Sequence, residues 1–336
     1  MSLLKTVLTT AALLLCVAIG ALYYLLQPSG KLSEFDQFKS KPYELVASQG
    51  LNVKFFGVST LLFDDGQSQI LIDGFFSRPS LTQIIFSKLT SDDALLKKIS
   101  TDHQLNRLNA ILVTHSHYDH SLDIAALGKS LTQANIVGSL STLNIARGGH
   151  VREQQLKLAE PFQSINFGNY TITPIPSQHT PATAVNNDLG EEIKTPLQQP
   201  ARFYEFKEGG SFDYLIEHKG SKILVKASTG AIPKQYEDLN VDLLFLGIAQ
   251  LAKQTPEFQK QYLSETIGQL NPKEIIPIHW DNFFKPLSKP LELLPRIADR
   301  TPESLKLVID YAAQDKRKVT LLETASSYPL MSHTPP

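Results

Sequence analysis

Residues 114–120 read THSHYDH and follow directly on AILV, a short apolar run at 110–113 that reads as a buried strand. Three imidazoles and one carboxylate therefore fall within six positions, at the point where a strand leaves the core. Such groups are costly to bury unpaired, so the fold must open an edge there and give them partners. Imidazole is the commonest biological zinc ligand, and a carboxylate adds charge compensation. Side chains two apart on an extended segment share a face, so His115 and His117 are expected to point together. Asp119 and His120 are then expected to turn towards a second position. The chain holds nine His but one Cys, so any metal site must be built from His and carboxylates.

Two further His sit where strands end. His179 follows YTITPIPSQ, and His279 follows EIIPI. Beside THSHYDH they are read as further metal ligands. The remaining four lack that context: His103 lies in a polar run, His150 in a loop after two glycines, His218 in a hairpin and His333 in the tail.

Between these points strands alternate with helices. LNVKFF, STLLF, QILID, NIVG, FDYLIEH, KILVKA and VDLLFLG read as strands, and HKGS at 218–221 as a hairpin turn. Residues 78–98, 122–133, 256–270 and 302–313 read as helices, three of them with Pro near the start. The alternation predicts an α/β domain. Residues 186–210 form a long polar loop, a length usually reserved for function. Its Phe203, Tyr204 and Phe206 either cover an apolar substrate or pin the loop to its own domain. The organisation expected is a short tail at 1–5, an apolar helix at 6–26, a tether at 27–50, a catalytic domain at 51–325 and a flexible tail at 326–336.

The apolar helix carries no charge over 21 positions. At 1.5 Å per residue it is about 31 Å long, matching a bilayer core. Tyr23 and Tyr24 fall at one end, where aromatics favour the interface. It is expected to be a single-pass anchor, with the catalytic domain outside the cytoplasm; a cleaved signal peptide and an exported protein are the alternative. The lone Cys16 lies inside this segment, so it is neither ligand nor nucleophile. The net charge of −1 and the lack of a Lys/Arg-rich tract argue against a nucleic-acid partner. No nucleophile-elbow serine is present, because Leu61 and Lys226 stand where the motif needs Gly.

THSHYDH, His179 and His279 at strand ends, and LIDG with Asp73 together resemble the metallo-β-lactamase-fold hydrolases over residues 51–284. FGVSTLLFDDGQSQILIDGFFSRP, THSHYDHSLD and PIHWDNF are similar to the branch holding N-acylphosphatidylethanolamine phospholipase D and the ascorbate-phosphate lactonases. The resemblance implies a four-layer αβ/βα sandwich with metals along one edge. It implies that His115, His117 and His179 hold one zinc, that Asp119, His120 and His279 hold a second, and that Asp73 orients the site from behind. A metal-bound hydroxide would then attack an ester-type bond, with Asp119 orienting or deprotonating the water. Phosphodiesters and lactones are the expected substrates, presented as small molecules or lipids. The family's bridging Asp is missing: KILVKASTG places Ser228 there. The expected cofactor is thus one firmly held Zn2+ and a second, weaker one, with Mn2+ and Fe2+ as alternatives. Lys226, two residues earlier on the same side of the strand, is a candidate contact for substrate phosphate or carboxylate. Two other readings stay open: a degenerate metal- or ligand-binding scaffold, and a nuclease of the same fold.

Overall fold

The computed structural model describes residues 2–40, 50–183, 186–323 and 327–330. Alternation within three strands explains its layering. In β2 (Leu61–Asp64), β3 (Gln69–Ile72) and β4 (Leu108–Leu112), every residue but Asp64 and Asn109 is buried. Leu61, Phe63, Ile70, Ile72, Ala110 and Leu112 enter one apolar cluster. Leu62, Leu71, Leu108 and Ile111 enter the other. Successive side chains leave a strand on opposite faces, so this sheet must be covered on both sides.

The first sheet runs in the order β14-β1-β2-β3-β4-β5-β6, adding β1 (Leu51–Phe55), β5 (Asn135–Gly138), β6 (Leu156–Leu158) and β14 (Ser327–Leu330). The second runs β13-β12-β11-β10-β9-β8-β7. Its strands are β7 (Ile165–Phe167), β8 (Tyr170–Ser177), β9 (Ser211–His218), β10 (Ser221–Lys226), β11 (Leu243–Gly247), β12 (Glu274–Ile278) and β13 (Lys318–Val319). Each sheet is antiparallel in one half and parallel in the other. The sheets pack face to face, with Phe63 and Phe245 ring centroids 5.6 Å apart. Outside the first sheet lie α2 (Leu81–Phe86), α3 (Asp93–Asp102), α4 (Tyr118–Ser121), α5 (Ile124–Ser130) and α6 (Leu140–Gly148). Outside the second lie α7 (Pro256–Leu263) and α8 (Thr301–Gln314). This is an αβ/βα sandwich, preceded by one apolar helix, α1 (Ser2–Leu26).

Several local expectations change. The helix expected at 78–98 is two helices, each with its own N-cap: Ser80 accepts from Gln83 N, and Asp92 accepts from Leu95 N. Between them the Leu89 backbone pairs with Ala201, which pulls the chain out of helical form. Of the helix expected at 122–133, residues 124–130 form α5 and the short α4 precedes it; Asp123 lies between them and accepts from Phe76 N, Ser77 N and Ser77 Oγ. The tether expected at 27–50 is docked over its first part. Phe35 is buried in the core, and Phe38 and Ser40 pair with the Leu321 backbone. Residues 41–49 lie outside the described residues. Part of the expected tail, Ser327–Leu330, is an edge strand on β1. α6, β6, β7 and β13 are too short or too irregular in pattern to have been anticipated.

Candidate metal centre

The C-terminal ends of four strands, two from each sheet, supply the site. Asp73 follows β3 directly, His115 and His117 follow β4, His179 follows β8, and His279 follows β12 directly. Asp119 and His120 sit in the short α4 that begins after His117. The fold brings the six candidate ligands together as two triads. His115, His117 and His179 form one, and Asp119, His120 and His279 the other; within each, one ligand atom per residue lies within 4.8 Å of the others. The triads adjoin, with the His115 and His120 rings 3.8 Å apart between centroids.

Partners on the far side of the rings set which nitrogen faces inward. Carboxylate and carbonyl oxygens only accept, so the ring nitrogen against them carries the proton. His120 Nδ1 donates to Asp73 Oδ2 at 2.8 Å. His117 Nε2 donates to Asp188 Oδ1 at 3.0 Å. His179 Nδ1 donates to the Thr180 carbonyl at 3.0 Å. Each pairing leaves the opposite nitrogen with a free lone pair, the arrangement a metal ligand needs. His115 Nε2 is buried with no hydrogen-bond partner. A buried unpaired nitrogen is costly, so the donor set suits a bound cation.

The electrostatics agree. Burial, and then the nearby imidazoles led by His120, hold His115 well below its ordinary range. Burial and His117 push His179 down to about 3. Neutral imidazoles are the form that binds metal. Burial alone would raise the Asp119 carboxyl, but His120, His279 and His117 outweigh it and hold it below its usual range. Burial works against charge on His279, yet Asp119 beside it prevails and raises it. The His279 and His120 Nε2 atoms lie 3.6 and 3.8 Å from Asp119 Oδ2.

The backbone around the second triad is held in uncommon conformations. Val58, Asp73 and His279 have φ of 51°, 57° and 60°. Left-handed backbone is unusual for a β-branched residue and costs on the order of 1–3 kcal/mol. His279 N donates to Val58 O at 2.6 Å, and Val58 N donates to Asp281 Oδ1 at 2.6 Å. Arg78 makes a short, fully buried ion pair with the same Asp281. The β1–β2 turn is thereby tied to the end of β12, which fixes His279 in place.

The sequence model of the β-lactamase superfamily domain matches residues 68–280. The chain belongs to the β-lactamase superfamily. A UPF0173 metal-dependent hydrolase of Pyrobaculum islandicum is 24% identical over 237 residues, covering 69% of this chain and 85% of the relative. A second of that description, from Heliobacterium modesticaldum, is 24% identical over 241 residues. Among solved structures, a metallo hydrolase of Ignicoccus hospitalis superposes with a TM-score of 0.52 at 13% identity, over 84% of this chain and 100% of that one. A metallo-β-lactamase fold protein of Bacillus subtilis superposes with a TM-score of 0.50 at 15% identity, over 83% and 99%. At such identities these structures bear on the fold alone.

Within this superfamily member, two expected residues stand differently from the ligands. Lys226 is not placed to contact substrate. It is fully buried; its Nζ donates to Ser177 Oγ at 2.9 Å and lies 3.4 Å from Asp213 Oδ2. The register that pairs Val225 with Tyr214 sets Asp213 beside it, and Tyr236 donates a short hydrogen bond to the same carboxylate. Burial pulls the Lys226 ammonium down and Asp213 opposes it. Ser228 is also buried. Its neighbour Thr229 donates from N to Thr180 Oγ1 at 3.1 Å, so the segment lies against the His179 turn. Gly230 is packed so closely there that a Cβ would stand 2.4 Å from the His179 carbonyl oxygen. Among the described residues, Asp119 is the one carboxylate in either triad.

Three contributors escaped the sequence reading. Asp188, in the long loop, holds His117. Ser59 bonds both Asp73 and His120 Nδ1, the latter at 2.9 Å. Asp281 ties the β1–β2 turn to β12. Ser59 and Asp281 lie inside motifs that carried the family resemblance, whereas nothing in NNDLG marks Asp188. Of the loop aromatics, Phe206 is buried, Phe203 packs on Tyr118, and Tyr204 is exposed. His103 and His218 face Lys54 and Asp65 away from the triads. His333 lies outside the described residues.

Proposed function

We propose that the protein is a membrane-anchored, metal-dependent hydrolase that cleaves an ester-type bond, a phosphodiester or a lactone. The observation that carries this reading is the pair of adjoining triads, each with one ligand atom per residue inside a 4.8 Å span. His115, His117 and His179 would hold one ion, and Asp119, His120 and His279 a second; Zn2+ is the ion that best suits this donor set. A bound divalent ion supplies water of lowered pKa and polarises the substrate oxygen. Asp119 stays ionised beside three imidazoles, so it can accept a hydrogen bond from the attacking water and orient it. Asp73, Ser59 and Asp188 keep the rings from turning. Ser228 brings no charge, so we assign the second ion the weaker hold.

The resemblance to the acyl-phosphatidylethanolamine and ascorbate-phosphate branch favours phosphodiesters and lactones. An aromatic ring beside the site favours a substrate with a greasy part: Phe283 stands 5.8 Å from His279 between ring centroids. Leu3–Leu26 is long and apolar enough to cross a membrane. In this reading it is the anchor, with the catalytic domain outside the cytoplasm.

The test is metal analysis joined to activity. Purified protein and His117→Ala are assayed on lipid phosphodiesters, phosphomonoesters and lactones. The expected result is metal-dependent turnover of one class by wild type and its loss in the variant. Equal inertness of both across the panel, with metal bound, overturns the hydrolase reading.

A further inference from the structure

We infer that residues 295–300 are a membrane-docking surface that fixes the catalytic domain against the lipid headgroups. The inference rests on reading α1 as an anchor and adds how the domain sits on it. The last turn of a helix leaves carbonyls without partners, and these must be capped. In α1 the caps come from the catalytic domain. Ile297 N donates to Leu25 O at 3.0 Å, and Arg296 N donates to Gln27 O at 2.9 Å. The Arg296 guanidinium donates to Tyr24 O at 3.4 Å and Gln27 O at 3.2 Å, and its Cζ stands 4.3 Å over the Tyr24 ring. Beyond the helix, Ser29 bonds Glu303, and Lys306 pairs with Glu34. The domain therefore grips the helix end.

Depth follows from length. The 24 residues of Leu3–Leu26 span about 36 Å, against about 30 Å of hydrocarbon. Leu25 then lies at the boundary, within a headgroup zone about 5–8 Å thick. A backbone bonded to Leu25 lies at the same level. Ile297 is 53% exposed there. Its neighbours Arg296 and Arg300 carry positive charge at this level, and so does Lys253, which donates to the Ile297 and Ala298 carbonyls. An exposed aliphatic among cations, beside Tyr23 and Tyr24, matches an interface with anionic lipid. The same segment leads to the site. Asp281 pairs with Leu293, and Asn282 N donates to Glu292 O at 2.7 Å, within three residues of His279. The membrane contact and the metal edge are thus joined by one stretch of chain.

The experiment places an environment-sensitive NBD label on the full chain in vesicles of phosphatidylcholine and phosphatidylglycerol. Three positions are compared: the native Cys16 within α1, and Ile297→Cys and Lys219→Cys, each in Cys16→Ser. Lys219 is at the hairpin before β10, at the opposite end of that strand from Ser228. The expected result is a blue shift and quenching by lipid-borne nitroxide at 16 and 297, with neither at 219. A label at 297 as water-like as that at 219, with Cys16 in lipid, overturns the docking surface and leaves the anchor. A water-like label at Cys16 as well overturns both. The readout is position, so it is independent of whether a substrate has been found.

Discussion

The two triads are supported by different parts of the molecule. Behind Asp119, His120 and His279 stands the sheet framework: Asp73 is fully buried and accepts from Thr114 N, Thr114 Oγ1, Ser59 Oγ and His120 Nδ1. Behind His117 stands a loop: Asp188 is partly exposed, and besides His117 it accepts from Glu208 N at 3.3 Å. Both carboxylates orient an imidazole, but one is also a structural hub of the core. The triad that contains Asp119 is backed by a carboxylate buried at a strand end; in the all-His triad, His117 is backed by a residue of the long loop. Burial of the supporting carboxylate and charge of the ligand set are separate properties, and here they fall together on one triad.

The largest effect expected is from Asp73→Ala. It strips a partner from four donor groups on three buried residues, and breaking a buried pair of this kind costs about 3–5 kcal/mol. Urea unfolding of the metal-free protein measures it, and a variant as stable as wild type would break the contrast. Asp188→Ala is expected to weaken metal binding by about 10–100-fold while leaving the urea midpoint near that of wild type. Chelator competition reads the first and unfolding the second. A stability loss equal to that of Asp73→Ala would make the loop part of the framework.

Stability of the metal-free protein is expected to depend on acid. Burial holds His179 down at about 3, and burial with Lys54 holds His103 at about 4. In the unfolded chain both titrate near 6.5. Between about pH 6.5 and 4 the unfolded state therefore binds more protons at these two groups, so the stability they contribute falls as pH drops through that window. Urea midpoints at pH 8, 6 and 5 check the slope. His103→Gln is expected to lower the slope by the share of that one group. The smallest effect expected is from Ser228→Asp, which adds the missing carboxylate. It should narrow the gap between first and second metal equivalents by about tenfold, as read by calorimetry.

Much of the candidate site was legible because four of its six candidate ligands lie just after strands, and strand ends show in the apolar pattern. THSHYDH, His179 and His279 needed only that rule and the chemistry of imidazole. Asp188 was hidden because a loop carries no periodicity to fix where its side chains point. Lys226 misled for the opposite reason. Its parity along the strand was correct, but parity does not say whether a face meets substrate or a neighbouring strand's carboxylate. The interruption at residues 87–92 was equally invisible, since it follows from Leu89 pairing with Ala201 across 112 positions.

By itself, the sequence determined the candidate ligand types, the place of most of them just after strands, a serine at 228, and an apolar helix of bilayer length. These are local properties, set by residue identity and by periods of two and 3.6. Only the tertiary structure decided which ring nitrogen faces the site, which carboxylate holds it there, and that Lys226 is buried. It also decided that the chain after α1 is docked and that Arg296 and Ile297 cap the helix. Each of these is a contact between residues far apart in the chain, and side-chain identity alone does not choose among the partners that folding brings near.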